Sequence, residues 1–157
     1  MPATPINPSS GPGNREIVSA RVFDLPRDVV FRAFADASIL ARWWGPKGFT
    51  NSFEEFDLRP GGVWRFVMHS PDGTDYRIVK EFTEVVAPER IVLTHPEPKH
   101  RFQMTISFAD EAGRTLLTWR MLFESEADAA TSRDFIAEAN EQNFDRLEAQ
   151  LATMDEA

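Results

Sequence analysis

Cysteine is absent from the chain, and tyrosine occurs once beside 13 phenylalanines and 4 tryptophans. Without cysteine there is no disulfide framework, no thiol nucleophile and no Cys-ligated zinc site. No apolar run approaches the roughly 20 residues needed to cross a bilayer as a helix. Basic side chains are in deficit, 17 against 25 acidic, for a net charge of −8. A field of that sign repels phosphate backbones and anionic lipid, so neither nucleic acid nor a membrane surface is an expected partner. The glycine patterns that cradle nucleotides, GxGxxG and GxxxxGK[ST], are missing, as is the GxSxG of serine hydrolases. No cofactor is expected.

Residues 1–14, MPATPINPSSGPGN, hold four of the eleven prolines and two of the eight glycines. They lack the basic and apolar regions of a secretory signal and read as a flexible tail, with a cytoplasmic location as the default. Residues 15–154 then read as a single domain.

Glu16–Phe23 has the residue types of a strand. Asp24 and Pro26 mark a helix start, and PRDVVFRAFAD places Val29, Val30, Ala33 and Phe34 on one stripe. A second short helix, Ala37–Trp44, is stopped by Gly45-Pro46-Lys47-Gly48. The period then changes from 3.6 to 2. Breakers such as Pro60-Gly61-Gly62 and Ser70-Pro71-Asp72-Gly73 separate six strand-like runs: Thr50–Leu58, Val63–His69, Asp75–Val86, Arg90–His95, His100–Ala109 and Arg114–Phe123. Trp64, Phe66 and Met68 alternate with polar residues, as do Phe102, Met104, Ile106 and Phe108, so one face of an antiparallel meander is apolar. Ser125 and Asp128 resemble a capping box that opens a long helix reaching Met154. On that helix Ile136, Asn140, Asn143, Leu147 and Leu151 share a stripe flanked by Phe135, Ala139 and Phe144. The fold class is therefore α+β, with a curved antiparallel sheet wrapped around the last helix. Such a wrap leaves a gap between sheet and helix.

The segments RVFDLPRDVVFRAFAD, ARWWGPKGF, DLRPGGVWRFVMHSPDGTDY, EVVAPERIVLTH and NFDRLEAQL, in that order, resemble a known group. It comprises bacterial single-domain proteins similar to the C-terminal domain of the heat-shock chaperone ATPase activator, within the START-like (helix-grip, SRPBCC) superfamily. The resemblance spans roughly residues 15 to 152. It implies a helix-grip fold with a cavity for a small, mostly apolar ligand. It implies no shared catalytic residues, and it allows a homodimer. Many relatives carry Gly-Trp on the last helix where this chain has Ala139 and Asn140, and Gly or an apolar residue where it has Lys80. Both departures imply a more polar or roomier interior.

The site expected from these readings is a ligand cavity with aromatic walls drawn from Trp44, Trp64, Phe66, Phe102, Trp119 and Phe135. Met104, Ile136 and Phe144 complete the apolar lining, and Asn140 and Asn143 serve as polar anchors. Two further functions compete with simple binding. One is an enzyme of cyclase, aromatase or hydrolase type, in which Lys80, a bound water or Glu54 shuttles protons; parity with Phe56 and Leu58 would turn Glu54 inward, against the ordinary expectation of a solvated edge strand. The other is a stress-related partner protein of the chaperone-activator type. Lys80 shares parity with Ile78 and Phe82 and is expected to snorkel to solvent. Of the three histidines, His69 stands apart. His95 and His100 flank a turn containing Glu97, but nothing fixes a ligand geometry and no metal site is expected.

Overall fold

The computed structural model describes residues 15–96 and 101–154. In chain order the elements are β1 (Glu16–Phe23), α1 (Arg27–Ala35), α2 (Ala37–Trp43), β2 (Thr50–Phe56), β3 (Val63–His69), β4 (Asp75–Val86), β5 (Arg90–His95), β6 (Phe102–Glu111), β7 (Arg114–Phe123) and α3 (Glu126–Met154). The strands form one sheet in the order β1-β7-β6-β5-β4-β3-β2, and every neighbouring pair is antiparallel. Strands β2 to β7 are thus a meander, and the last strand closes against the first. This is the helix-grip architecture the sequence implied, with two short helices after β1 and a long helix at the end.

Local chemistry accounts for the element ends. Asp36 opens α2, its carboxylate accepting from the backbone N–H of Ser38 and Ile39, which satisfies two helix-end donors. Ser125 Oγ accepts from Asp128 N at 3.1 Å, as the capping reading expects. β2 ends at Phe56, two residues before its expected limit. The chain there turns into Pro60-Gly61-Gly62, which docks on β4: Gly61 N donates to Phe82 O and Phe82 N to Gly62 O.

The inner face of the sheet and one side of α3 enclose a core rich in aromatic rings. Trp43, Trp64, Trp119, Phe66, Phe108, Phe123 and Phe144 are fully buried. On β1 the inward residues are Ile17, Ser19 and Phe23, while Val18 and Val22 are exposed. α3 buries Ala129, Asn140, Asn143, Phe144, Leu147 and Leu151.

Two irregularities shift the pairing. β2 has a break in register between Phe53 and Glu55, and β4 has one between Phe82 and Glu84. The first overturns the expected parity of Glu54. An extra residue in one strand inverts the alternation beyond it, so Phe53 and Phe56 both pack against the core. Glu54 stays exposed and pairs with Arg77 at 3.5 Å.

Candidate functional site

The segment from Ala41 to Pro46 ends α2 and enters a loop, so its carbonyls lack helical partners. Side chains from two other elements take all six. Asn51 Nδ2 on β2 donates to Ala41 O and Trp44 O. Asn143 Nδ2 on α3 donates to Trp43 O at 3.0 Å. Arg146, one turn further along α3, donates to the carbonyls of Arg42, Trp44, Gly45 and Pro46 at 3.0–3.3 Å. The guanidinium suits this task because its N–H groups diverge in a rigid plane. Gly45 allows the turn, with φ at +106°.

Beneath this loop lies a cavity of about 120 Å³ between the sheet and α3. The loop contributes Trp44, Gly45 and Pro46; β3 gives Met68 and β4 gives Lys80. β6 supplies Phe102 and Met104, β7 supplies Trp119 and Met121, and α3 supplies Ala139, Asn140 and Asn143. A second interior gap, beside Trp44 and Trp64, shrinks to about 10 Å³, at the limit of what one water needs. Pro46 and Ala139 also border an outer groove of about 300 Å³, lined further by Lys47, Phe49, Phe135, Glu138 and Gln142.

Six of the eleven expected lining residues therefore meet at the cavity: Trp44, Phe102, Met104, Trp119, Asn140 and Asn143. Trp64 and Phe66 stack on each other at 4.4 Å and belong to the packed core next door. Phe144 packs against Trp119 and Phe23 and is fully buried, while Ile136 is half-buried against the core. Phe135 is a correction, for it is 75% exposed and lies in the outer groove. It stands nine residues before Phe144, about two and a half turns at 3.6 residues each. The two rings therefore project from opposite sides of the helix.

The polar groups of the wall are unequally satisfied. Asn140 Nδ2 donates to Ser19 Oγ at 3.1 Å and approaches Met121 Sδ at 3.7 Å; Asn143 Nδ2 is used on Trp43 O. The indole N–H of Trp119 is buried without an acceptor.

Lys80 is the second correction. Its side chain does not snorkel: the residue is 6% exposed. It sits in the middle of a 12-residue strand flanked by β3 and β5, and its stem is held in the wall of the cavity rather than laid out over the surface. Among the described residues it makes no ion pair, and its Nζ lies 4.9 Å from the centre of the Phe102 ring. Desolvation lowers its pKa from 10.5 to about 8. Sequence parity pointed this residue inward.

The remaining candidates stand elsewhere. Glu54 is at the surface. His69 bonds Ser52 Oγ and Asp75. His95 stacks on Phe102 at 5.1 Å. Glu97 and His100 lie outside the described residues. No helix among those described is long and apolar enough to cross a membrane.

Comparison with known proteins agrees with this architecture. A protein from Nitrosomonas europaea superposes with a TM-score of 0.84 at 21% identity, covering 97% of this chain and 100% of its own. One from Arthrobacter aurescens gives 0.83 at 23%, covering 92% and 90%. The AHSA1 protein from Silicibacter pomeroyi gives 0.72 at 20%, covering 88% and 99%. Among curated proteins none matches. The family model described as Activator of Hsp90 ATPase homolog 1-like protein matches residues 24–152. With most of its length matched and the helix-grip fold in place, this chain belongs to the family of Activator of Hsp90 ATPase homolog 1-like proteins.

Proposed function

We propose that the protein binds a small, mostly apolar molecule in the cavity between the sheet and α3. One observation carries this reading: a half-open cavity of about 120 Å³ walled by indole, phenyl and thioether groups together with a few polar ones. That mixture is the usual make-up of small-molecule sites, and an apolar cavity of comparable size, about 150 Å³, is known to admit benzene. The three methionines in the wall can adapt to an occupant's shape.

Toluene, followed by NMR titration, tests the reading. The wild type binds it with shifts at the Trp44 and Trp119 indoles, and Asn140→Trp, which places a ring in the cavity, does not bind it. The variant's thermal midpoint should stay near that of the wild type. Equal binding by both proteins, or none by the wild type, overturns the assignment.

A second reading, proton-transfer chemistry in the same cavity, draws on Lys80, an amine whose depressed pKa suits an acid–base role near neutral pH. Among the described residues Lys80 is the single titratable side chain in the wall. Chemistry that needs an acid and a base together would have to draw the second group from the ligand, so binding is the better-supported reading.

A further inference from the structure

Lys80 presents a physical problem that none of the described residues solves. An ammonium in an apolar interior is costly unless an opposite charge or several acceptors meet it. Here the described residues offer one aromatic face and no carboxylate. The amine would still be mostly protonated at pH 7. Elsewhere in the wall, the Trp119 Nε1–H is buried without an acceptor. The amide nitrogens of Asn140 and Asn143 are already committed to Ser19 and Trp43. Among the described residues the wall therefore holds a cation and no anion to receive it.

The neighbouring charges reinforce this imbalance. Arg146 places a guanidinium behind Gly45 and Pro46 on the loop side of the cavity. His95 on β5 stacks on the same Phe102 ring that Lys80 faces. Glu138 lines the outer groove together with Lys47.

From these juxtapositions we infer that the cavity takes a one-ring aromatic carboxylic acid, its carboxylate on Lys80 Nζ and its ring among Trp44, Phe102 and the methionines of the wall. The inference rests on the cavity-binding reading above and names the class of molecule. A carboxylate supplies the missing charge and accepts from the ammonium in a charge-assisted bond, the strong kind. A flat ring matches both the aromatic walls and the volume. A substituent on the ring could pass between Pro46 and Ala139 into the outer groove, which shares those two residues with the cavity.

The test compares benzoate, benzamide and toluene, which share a ring and differ in charge. Titrations at pH 7 use the wild type and Lys80→Met. Benzoate should bind the wild type about tenfold or more tightly than benzamide, the increment expected of a charge-assisted bond. Lys80→Met should erase that preference while leaving toluene binding intact. In the wild type, benzoate should also move the Trp119 indole N–H resonance, a readout that needs no variant. Toluene binding without a benzoate preference overturns the carboxylate assignment and leaves the cavity reading standing. Binding of none of the three overturns both. A benzoate preference that survives Lys80→Met, or that leaves the Trp119 resonance unmoved, places the anion elsewhere and overturns the inference.

Discussion

Lys80 Nζ lies over the ring of Phe102, 4.9 Å from its centre, and among the described residues this ring is the one group that answers its charge. A cation over phenyl recovers only a fraction of the hydration it has lost. The folded state therefore holds this amine at a pKa of about 8 against 10.5 in the unfolded chain. Between those two values the unfolded chain binds more protons, so this group's contribution to stability rises with pH across that window. Below about pH 8 the penalty is fully present. Its size is about 3 kcal/mol by the usual conversion. Urea denaturation of the wild type and Lys80→Met should show the variant at least as stable at pH 7. Its advantage should then narrow by up to about 3 kcal/mol on going to pH 10.5. A gap that does not change with pH would show that the amine is hydrated in the folded protein.

Arg146 offers a second test. Among the described residues its guanidinium is the sole side-chain donor to the carbonyls of Arg42, Gly45 and Pro46. Arg146→Ala should lower stability by about 1.5–3 kcal/mol, the range for hydrogen bonds to a charged group, and should speed amide exchange in residues 44–48. Arg146→Lys should recover only part of the loss, since an ammonium cannot spread its donors over four carbonyls. Denaturation and hydrogen exchange together check both statements.

Gly62 gives a third. A Cβ built there would stand 1.9 Å from the carbonyl oxygen of Asp57, a backbone atom that cannot swing aside. Gly62→Ala should therefore cost about 2 kcal/mol or more. Urea denaturation measures it directly. A cost near zero would mean that the turn after β2 can open without disturbing its pairing to Phe82.

These residues show which parts of the fold could be read in advance. Strand limits followed from the breakers, because Pro and Gly act locally and their effect is confined to their own turn. The alternation of Trp64, Phe66 and Met68, or of Phe102, Met104, Ile106 and Phe108, located the inner face for the same reason. The parity argument for an inward Glu54 failed, and the solvated edge strand held, because a register shift leaves no mark in the residue types themselves. Phe135 was misplaced because a flanking position on a helix wheel does not say which flank the sheet will cover. The cavity wall was half legible. Trp44, Phe102, Met104, Trp119, Asn140 and Asn143 came from apolar parity and helix spacing. Lys80 had the parity of an inward residue, but parity does not say whether a long stem stays in the wall or runs out to water. The pinning of the 41–46 carbonyls was invisible, since Asn143 and Arg146 meet them across about 100 residues of chain.

That pinning bears on access as well as on strength. The roof over the cavity is fastened at six consecutive carbonyls by three side chains, two of them on the helix that forms the opposite wall. Lifting it breaks several bonds together, so this side of the wall holds still while an occupant exchanges through the open side that borders the outer groove at Pro46 and Ala139.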